Sequence, residues 1–219
     1  MAGKVTTIRA SHHRPKDQRL RSVLQFLVVL SETNPLVWRR IQVPEHYSFW
    51  DLHVAIQDAM GWLDYHLHEF RVFHPKRRQL DLLGIPDEDF PDERPRTPDW
   101  EVKISGYFNR ASSLDALPAL YVYDFGDDWR HLLMCEEELP LEESVTYPRC
   151  VAGARACPPE DCGGVHGYAD FLAAIADPRH PDHAQLVQWS GGAYDPEAFE
   201  PSRIRFDDPR KRWKQAFQE

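Results

Sequence analysis

Residues 25–63, QFLVVLSETNPLVWRRIQVPEHYSFWDLHVAIQDAMGWL, decide the fold. Residues 26–30 are an unbroken apolar run, and residues 37–43 alternate in polarity after the turn signal Asn34-Pro35, so the pair predicts a β-hairpin whose first strand is central. Ser48 then offers an N-cap with Asp51 three residues on, and Phe49, Leu52, Ile56, Ala59 and Leu63 fall on one helical stripe. Gly61 marks the stop. Working outward, residues 66–73 read as a strand, and residues 120–124 and 129–136 read as a second hairpin around Phe125-Gly126-Asp127-Asp128. Two short helices are expected over 168–176, ended by Asp177-Pro178, and 183–189, ended by Gly191-Gly192. This order predicts an α+β fold: a β-grasp-like mixed or antiparallel sheet with one main packed helix and additional C-terminal helices. No internal repeat or persuasive linker divides the chain. One domain over 22–199 is expected, flanked by a basic, disordered tail (1–21) and a basic C-terminal extension (200–219).

Composition bounds the function. The chain's 219 residues are 42% hydrophobic and include seven Trp and eleven Phe, enough to bury a core. No apolar run approaches the roughly twenty residues that cross a bilayer, and the first 21 residues lack the apolar centre of a signal peptide. A cytoplasmic protein without a membrane is the expectation, and its four Cys then read as packing groups or metal ligands before disulfides. The formal charge of −9 is segregated. Lys4, Arg9, Arg14, Lys16, Arg19 and Arg21 make the start basic, while residues 81–101 carry an acidic, Pro-rich block that reads as a solvated loop. Arg203, Arg205, Arg210, Lys211, Arg212 and Lys214 make the end basic again. Overall acidity argues against a dedicated duplex-binding domain and leaves a protein partner, or weak nucleic-acid contact through the basic ends.

Several blocks resemble the plasmid pRiA4b ORF-three-like family, also catalogued as insertion-element passenger proteins labelled TnpR. They are Pro35 with Trp38-Arg39-Arg40, Leu52-His53, Ile56-Gln57, Met60-Gly61-Trp62 and His66-Leu67-His68-Glu69-Phe70. Downstream they continue with Tyr123-Asp124-Phe125-Gly126-Asp127, Trp129, His131, Tyr147-Pro148-Arg149-Cys150, residues 156–161, Gly163-Gly164 and Gly167-Tyr168. The resemblance spans residues 25 to about 199 and implies an α+β domain carried on plasmids and mobile elements, with no established activity. Resolvase chemistry needs an activated Ser or Tyr flanked by arginines, and no such set stands out.

Two groups of residues carry chemistry. Residues 147–168, YPRCVAGARACPPEDCGGVHGY, hold Cys150, Cys157, Cys162 and His166, separated by six, four and three residues. Three thiols and an imidazole suit tetrahedral zinc. The alternative is that the cysteines are small buried hydrophobes in a Pro-constrained loop, and the resemblance favours it, since the family has an aliphatic residue where this chain has Cys162. The second group is His66, His68, Asp124, Asp127, Asp128 and His131. Residues 66 and 68 would share a strand face about 7 Å apart, and the turn carboxylates with His131 would complete a hydrolytic metal centre. Against this, an Asp-rich turn with Gly126 at positive φ is sufficient as a turn. The reading is therefore an accessory or interaction domain of undetermined activity. The alternative is a metal-dependent hydrolase acting on phosphate esters or nucleic acid.

Overall fold

The computed structural model describes residues 22–86, 95–108 and 117–217. Strands β1 (Ser22–Leu30) and β2 (Val37–Pro44) form the expected antiparallel hairpin, with Phe26 opposite Ile41 and Leu30 opposite Val37. Helix α1 (Phe49–Met60) starts at a complete capping box: Asp51 N donates to Ser48 Oγ (3.1 Å) and Ser48 N donates to Asp51 Oδ2 (2.7 Å). It ends at Gly61, whose φ of 91° requires a residue without a Cβ penalty. Leu63 lies beyond that stop and is 61% exposed, so the buried stripe ends one turn earlier than the periodicity predicts.

The sheet is completed by β3 (His68–His74), β4 (Gln79–Gly84), β5 (Thr97–Pro98), β6 (Ala119–Tyr123), β7 (Trp129–Pro140) and β8 (Arg149–Ala154). Its order is β5-β4-β3-β6-β7-β1-β2-β8, antiparallel throughout except between β4 and β5. The architecture is thus α+β with a mixed sheet of eight strands. Three of these strands are absent from the sequence reading. The acidic block begins as β4 and resumes as β5 and a 3-10 turn (Asp99–Glu101), so only part of it is loop. Its central residues 87–94 and the N-terminal segment 1–21 lie outside the described residues. The cysteine segment begins as β8, because pairing with β2 supplies the backbone partners that its own composition does not.

Helices α2 (Gly164–Ala176), α3 (His183–Trp189) and α4 (Pro209–Phe217) follow. Leu24, Phe26, Val28 and Leu30 of β1 point into one core with Phe49, Leu52 and Ile56 of α1 and Tyr168 and Phe171 of α2. Gln25 lies on the opposite face, in a cross-strand polar ladder: Arg149 donates to Gln42 (2.7 Å), Gln42 to Gln25 (2.8 Å), and Gln25 (3.0 Å) and Arg40 (2.7 and 2.8 Å) to Glu136. The basic C-terminus packs inward through α4. Phe217 meets Trp50 and Trp100 at centroid distances of 5.6 and 5.4 Å, and Arg212 pairs with Asp58 (2.8 Å) and Asp64 (3.6 Å). Among the described residues, no helix is long and apolar enough to cross a membrane.

Candidate functional site

The turn between β6 and β7 is built from aspartates. Asp124 and Asp128 hold φ of 56° and 54°, while Gly126 does not carry the positive φ expected of it. Asp carries this strain because its short side chain bonds the local backbone. Asp124 Oδ1 accepts from Gly126 N at 2.8 Å, and Asp128 N donates to Asp124 O at 2.6 Å. Fixing Oδ1 in this way turns Oδ2 outward, 3.6 Å from His66 Nε2. Asp161, also left-handed at φ 56°, brings Oδ1 to 2.9 Å from the same nitrogen.

Asp161 reaches this point because the segment after β8 is pinned against the start of β3. Trp62 Nε1 donates to Pro158 O (2.9 Å), and Leu63 N donates to Glu160 Oε1 (2.7 Å). Tyr123 donates to the same carboxylate (3.1 and 3.2 Å), while its oxygen accepts from Tyr65 N (3.1 Å). Burial, reinforced by Glu160, holds the Tyr123 hydroxyl well above its ordinary range, so it stays a donor. The blocks around Trp62, His66, Asp124 and Glu160 therefore meet at one place on the surface.

Among the described residues, His66, Asp124 and Asp161 are the one group of three or more His, Cys, Asp or Glu whose ligand atoms all lie within 4.8 Å of one another. Ligand atoms about 2.1 Å from a common divalent ion stand about 3.0–3.4 Å apart. The two contacts to His66, 2.9 and 3.6 Å, bracket that spacing. One imidazole and two carboxylates suit zinc, manganese or magnesium, and side-chain exposures of 31%, 11% and 64% for His66, Asp124 and Asp161 leave the outer side open to water or a ligand.

The other expected site residues are distributed differently. Strand β3 begins at His68, so His66 lies in the approach to it and strand alternation does not relate the two. His68 is sealed in the core, its Nε2 2.7 Å from Asp99 Oδ2 and its ring stacked on His53 at 3.5 Å and 7°. His53 Nδ1 lies 2.8 Å from the Tyr121 hydroxyl, which also accepts from Gln57 Nε2 (2.8 Å). His53 Nε2 faces Asp64 Oδ1 at 2.9 Å. Burial, then the neighbouring His68, lowers His53 from its ordinary value. Burial works to raise Asp64, but His53, His68 and Arg212 together outweigh it and hold the carboxyl low. This network ties α1 to β3 and the turn at residue 99 and offers no access to a substrate. Sequence reading missed His53, Asp64 and Asp99, which have no shared spacing. It also missed Asp161, whose signal was a carboxylate inside a Pro-constrained loop.

Asp127 Oδ2 accepts from Gly163 N (3.1 Å) at the start of α2, and Asp128 pairs with Arg130 (2.6 Å), so neither joins the surface group. His131 is fully buried, and burial pushes it down to about 3. Cys150, Cys157, Cys162 and His166 do not converge. Cys150 Sγ donates to its own strand at Ala152 O (3.3 Å), and burial raises all three thiols, which keeps them protonated.

A family model described as plasmid pRiA4b ORF-3-like protein matches residues 22–203. The uncharacterized protein y4hQ of Sinorhizobium fredii (strain NBRC 101917 / NGR234) is 34% identical over 195 residues, covering 88% of this chain and 94% of that one. A crystal structure of a protein of unknown function, MM3350 from Methanosarcina mazei Go1, is similar with a TM-score of 0.77 and 42% identity, over 85% of this chain and 98% of that one.

Proposed function

The chain belongs to the plasmid pRiA4b ORF-3-like family, and from that premise we propose that it is an accessory binding module of plasmids and mobile elements that holds a divalent metal ion at His66, Asp124 and Asp161. The observation that carries this reading is the meeting of one imidazole and two carboxylates at ligand spacing, with Asp124 already oriented by the Gly126 amide. Both acidic residues sit in left-handed backbone, a strain that a ligand role would offset. The bound ion would present its free positions to an anionic group of a partner.

Phosphate-ester hydrolysis is the second reading, favoured by the open outer side. Three protein ligands leave room for a water whose pKa the ion would lower. Nearby Tyr123 is engaged with Glu160 and holds its proton, so it offers no base to such a water.

Untagged protein stripped with chelator and titrated with manganese or zinc should bind one equivalent. His66→Ala and Asp161→Asn should each weaken binding by at least about tenfold while leaving thermal stability intact, and Cys157→Ala should not. Unaltered binding in both surface variants would refute the site. Ion-dependent cleavage of a phosphodiester, lost in the same variants, would select the hydrolase.

A further inference from the structure

Arg39 lies on β2, on the face shared with Val37 and Ile41, and is only 2% exposed. A guanidinium removed from water is costly unless paired with opposite charge. Other arginines of this fold follow that rule: Arg40 with Glu136, Arg96 with Glu69, Arg155 with Glu197 and Arg212 with Asp58. Arg39 bonds carbonyls instead. Its Nε donates to Ala59 O (2.8 Å) and its Nη1 to Trp38 O and Ala154 O (both 2.9 Å), with the Phe199 ring 4.2 Å from Cζ. No carboxylate among the described residues lies within ion-pair reach of it. Ala59 belongs to the last turn of α1, where the helix dipole supplies about half a negative charge, so the cation is only partly balanced. None of these bonds uses Nη2.

Arg39 lines a cleft of 440 Å³ together with Arg203 and Arg205, with Gly61, Cys157 and Phe199 also in its walls. Two carboxylates line it as well, and both are engaged. Asp58 pairs with Arg212 and accepts from Asp207 N (2.8 Å), while Glu200 accepts from Ser202 N (3.2 Å). We infer that this cleft is an oxyanion site that takes the phosphate group of a small phosphorylated ligand, with Arg39 as the buried donor and Arg203 and Arg205 as the outer arms. Glu200 keeps its charge and Arg205 Nη1 already donates to Ser202 O (2.7 Å) and Ile204 O (3.1 Å), yet with Asp58 paired to Arg212 the lining stays net positive. The forked donors of Arg39 and Arg203, with the remaining nitrogens of Arg205, match the several oxygens of a phosphate better than the two of a carboxylate. The cleft volume suits a small molecule.

The test uses the full chain in chelator, which removes any contribution from the His66 group. Inorganic phosphate, against sodium chloride of equal ionic strength and against acetate, is followed by thermal shift and by phosphorus NMR. Phosphate should give a saturable rise in melting temperature that acetate does not. The double variant Arg203→Ala/Arg205→Ala should bind phosphate at least about tenfold more weakly with the ligand-free melting temperature of the parent. His66→Ala should bind phosphate as the parent does, so failure here and failure of the metal site are read separately. Arg39→Lys, if it folds, should also weaken binding, since an ammonium cannot supply the fork. No saturable response, an equal response to acetate, or undiminished binding in the double variant would overturn the inference.

Discussion

His53, His66, His68 and His131 share a side chain and differ in what surrounds them. His66 faces two carboxylates at the surface, His53 and His68 stack against each other over separate aspartates, and His131 has a weak 3.4 Å contact to Tyr121 O and nothing for its Nε2. For His131 the folded value of about 3 lies below the ordinary 6.5, so the unfolded chain takes up a proton that the native state refuses. Its contribution to stability is complete above about pH 6.5 and declines by about 1.4 kcal/mol per pH unit as pH falls toward 3. His131→Leu should therefore flatten the acid limb of urea-unfolding stability between about pH 6 and 4 by close to one proton. An unchanged slope would show that His131 is not the group responsible. Alternation along one strand relates His66 only to His68, and His131 joins them only if the second hairpin lies beside that strand; with β3 starting at His68, even the first relation lapses. Which of them the helices seal is decided by α1, the turn at residue 99 and the segment around Glu160, none of it local in sequence.

At the scale of elements, the first hairpin and α1 were legible because each carries its own punctuation: an apolar run, a Pro turn, a capping box and a left-handed glycine. Strands β4, β5 and β8 carry none. RCVAGA has no alternation, and it becomes β8 because β2 presents an unpaired edge to it. Gly153 explains why that edge is stable: a Cβ there would meet the Phe199 ring at 2.5 Å and Trp38 O at 2.7 Å. The ring could give way, but the backbone oxygen belongs to the paired strand. Gly153→Val should therefore cost about 1–3 kcal/mol in denaturant unfolding and raise hydrogen exchange at Ala152 and Ala154. Parental stability would mean that β8 is not packed this closely. The surface group was half legible for the same reason. His66 and Asp124 flank recognisable strands, whereas Asp161 arrives through hydrogen bonds to Trp62, Leu63 and Tyr123 that no local pattern announces.

Across the whole molecule, the C-terminal PRKRWKQAF reads as basic surface, yet it becomes a clasp. Arg212 neutralises Asp58 and Asp64, and Trp213 and Phe217 cover Trp100 and Trp50. Arg212→Met keeps the apolar stem and removes the charge, leaving two largely buried carboxylates without it. About 2 kcal/mol of stability should be lost at pH 7, with partial recovery toward pH 5 as Asp58, which burial already raises, takes a proton. Urea midpoints at the two pH values measure this, and an equal loss at both would argue that the clasp is held by its aromatics alone. The strand order also governs how the molecule is made. β1 lies between β2, its neighbour in sequence, and β7, whose residues 131–140 pair with residues 22–30. During synthesis the first hairpin emerges with the outer flank of β1 bare, and that flank stays bare until residues 131–140 have left the ribosome. A nascent chain in that interval presents an apolar strand with an open edge, so slower translation through the β3–β6 region should lengthen the time in which that edge can pair wrongly.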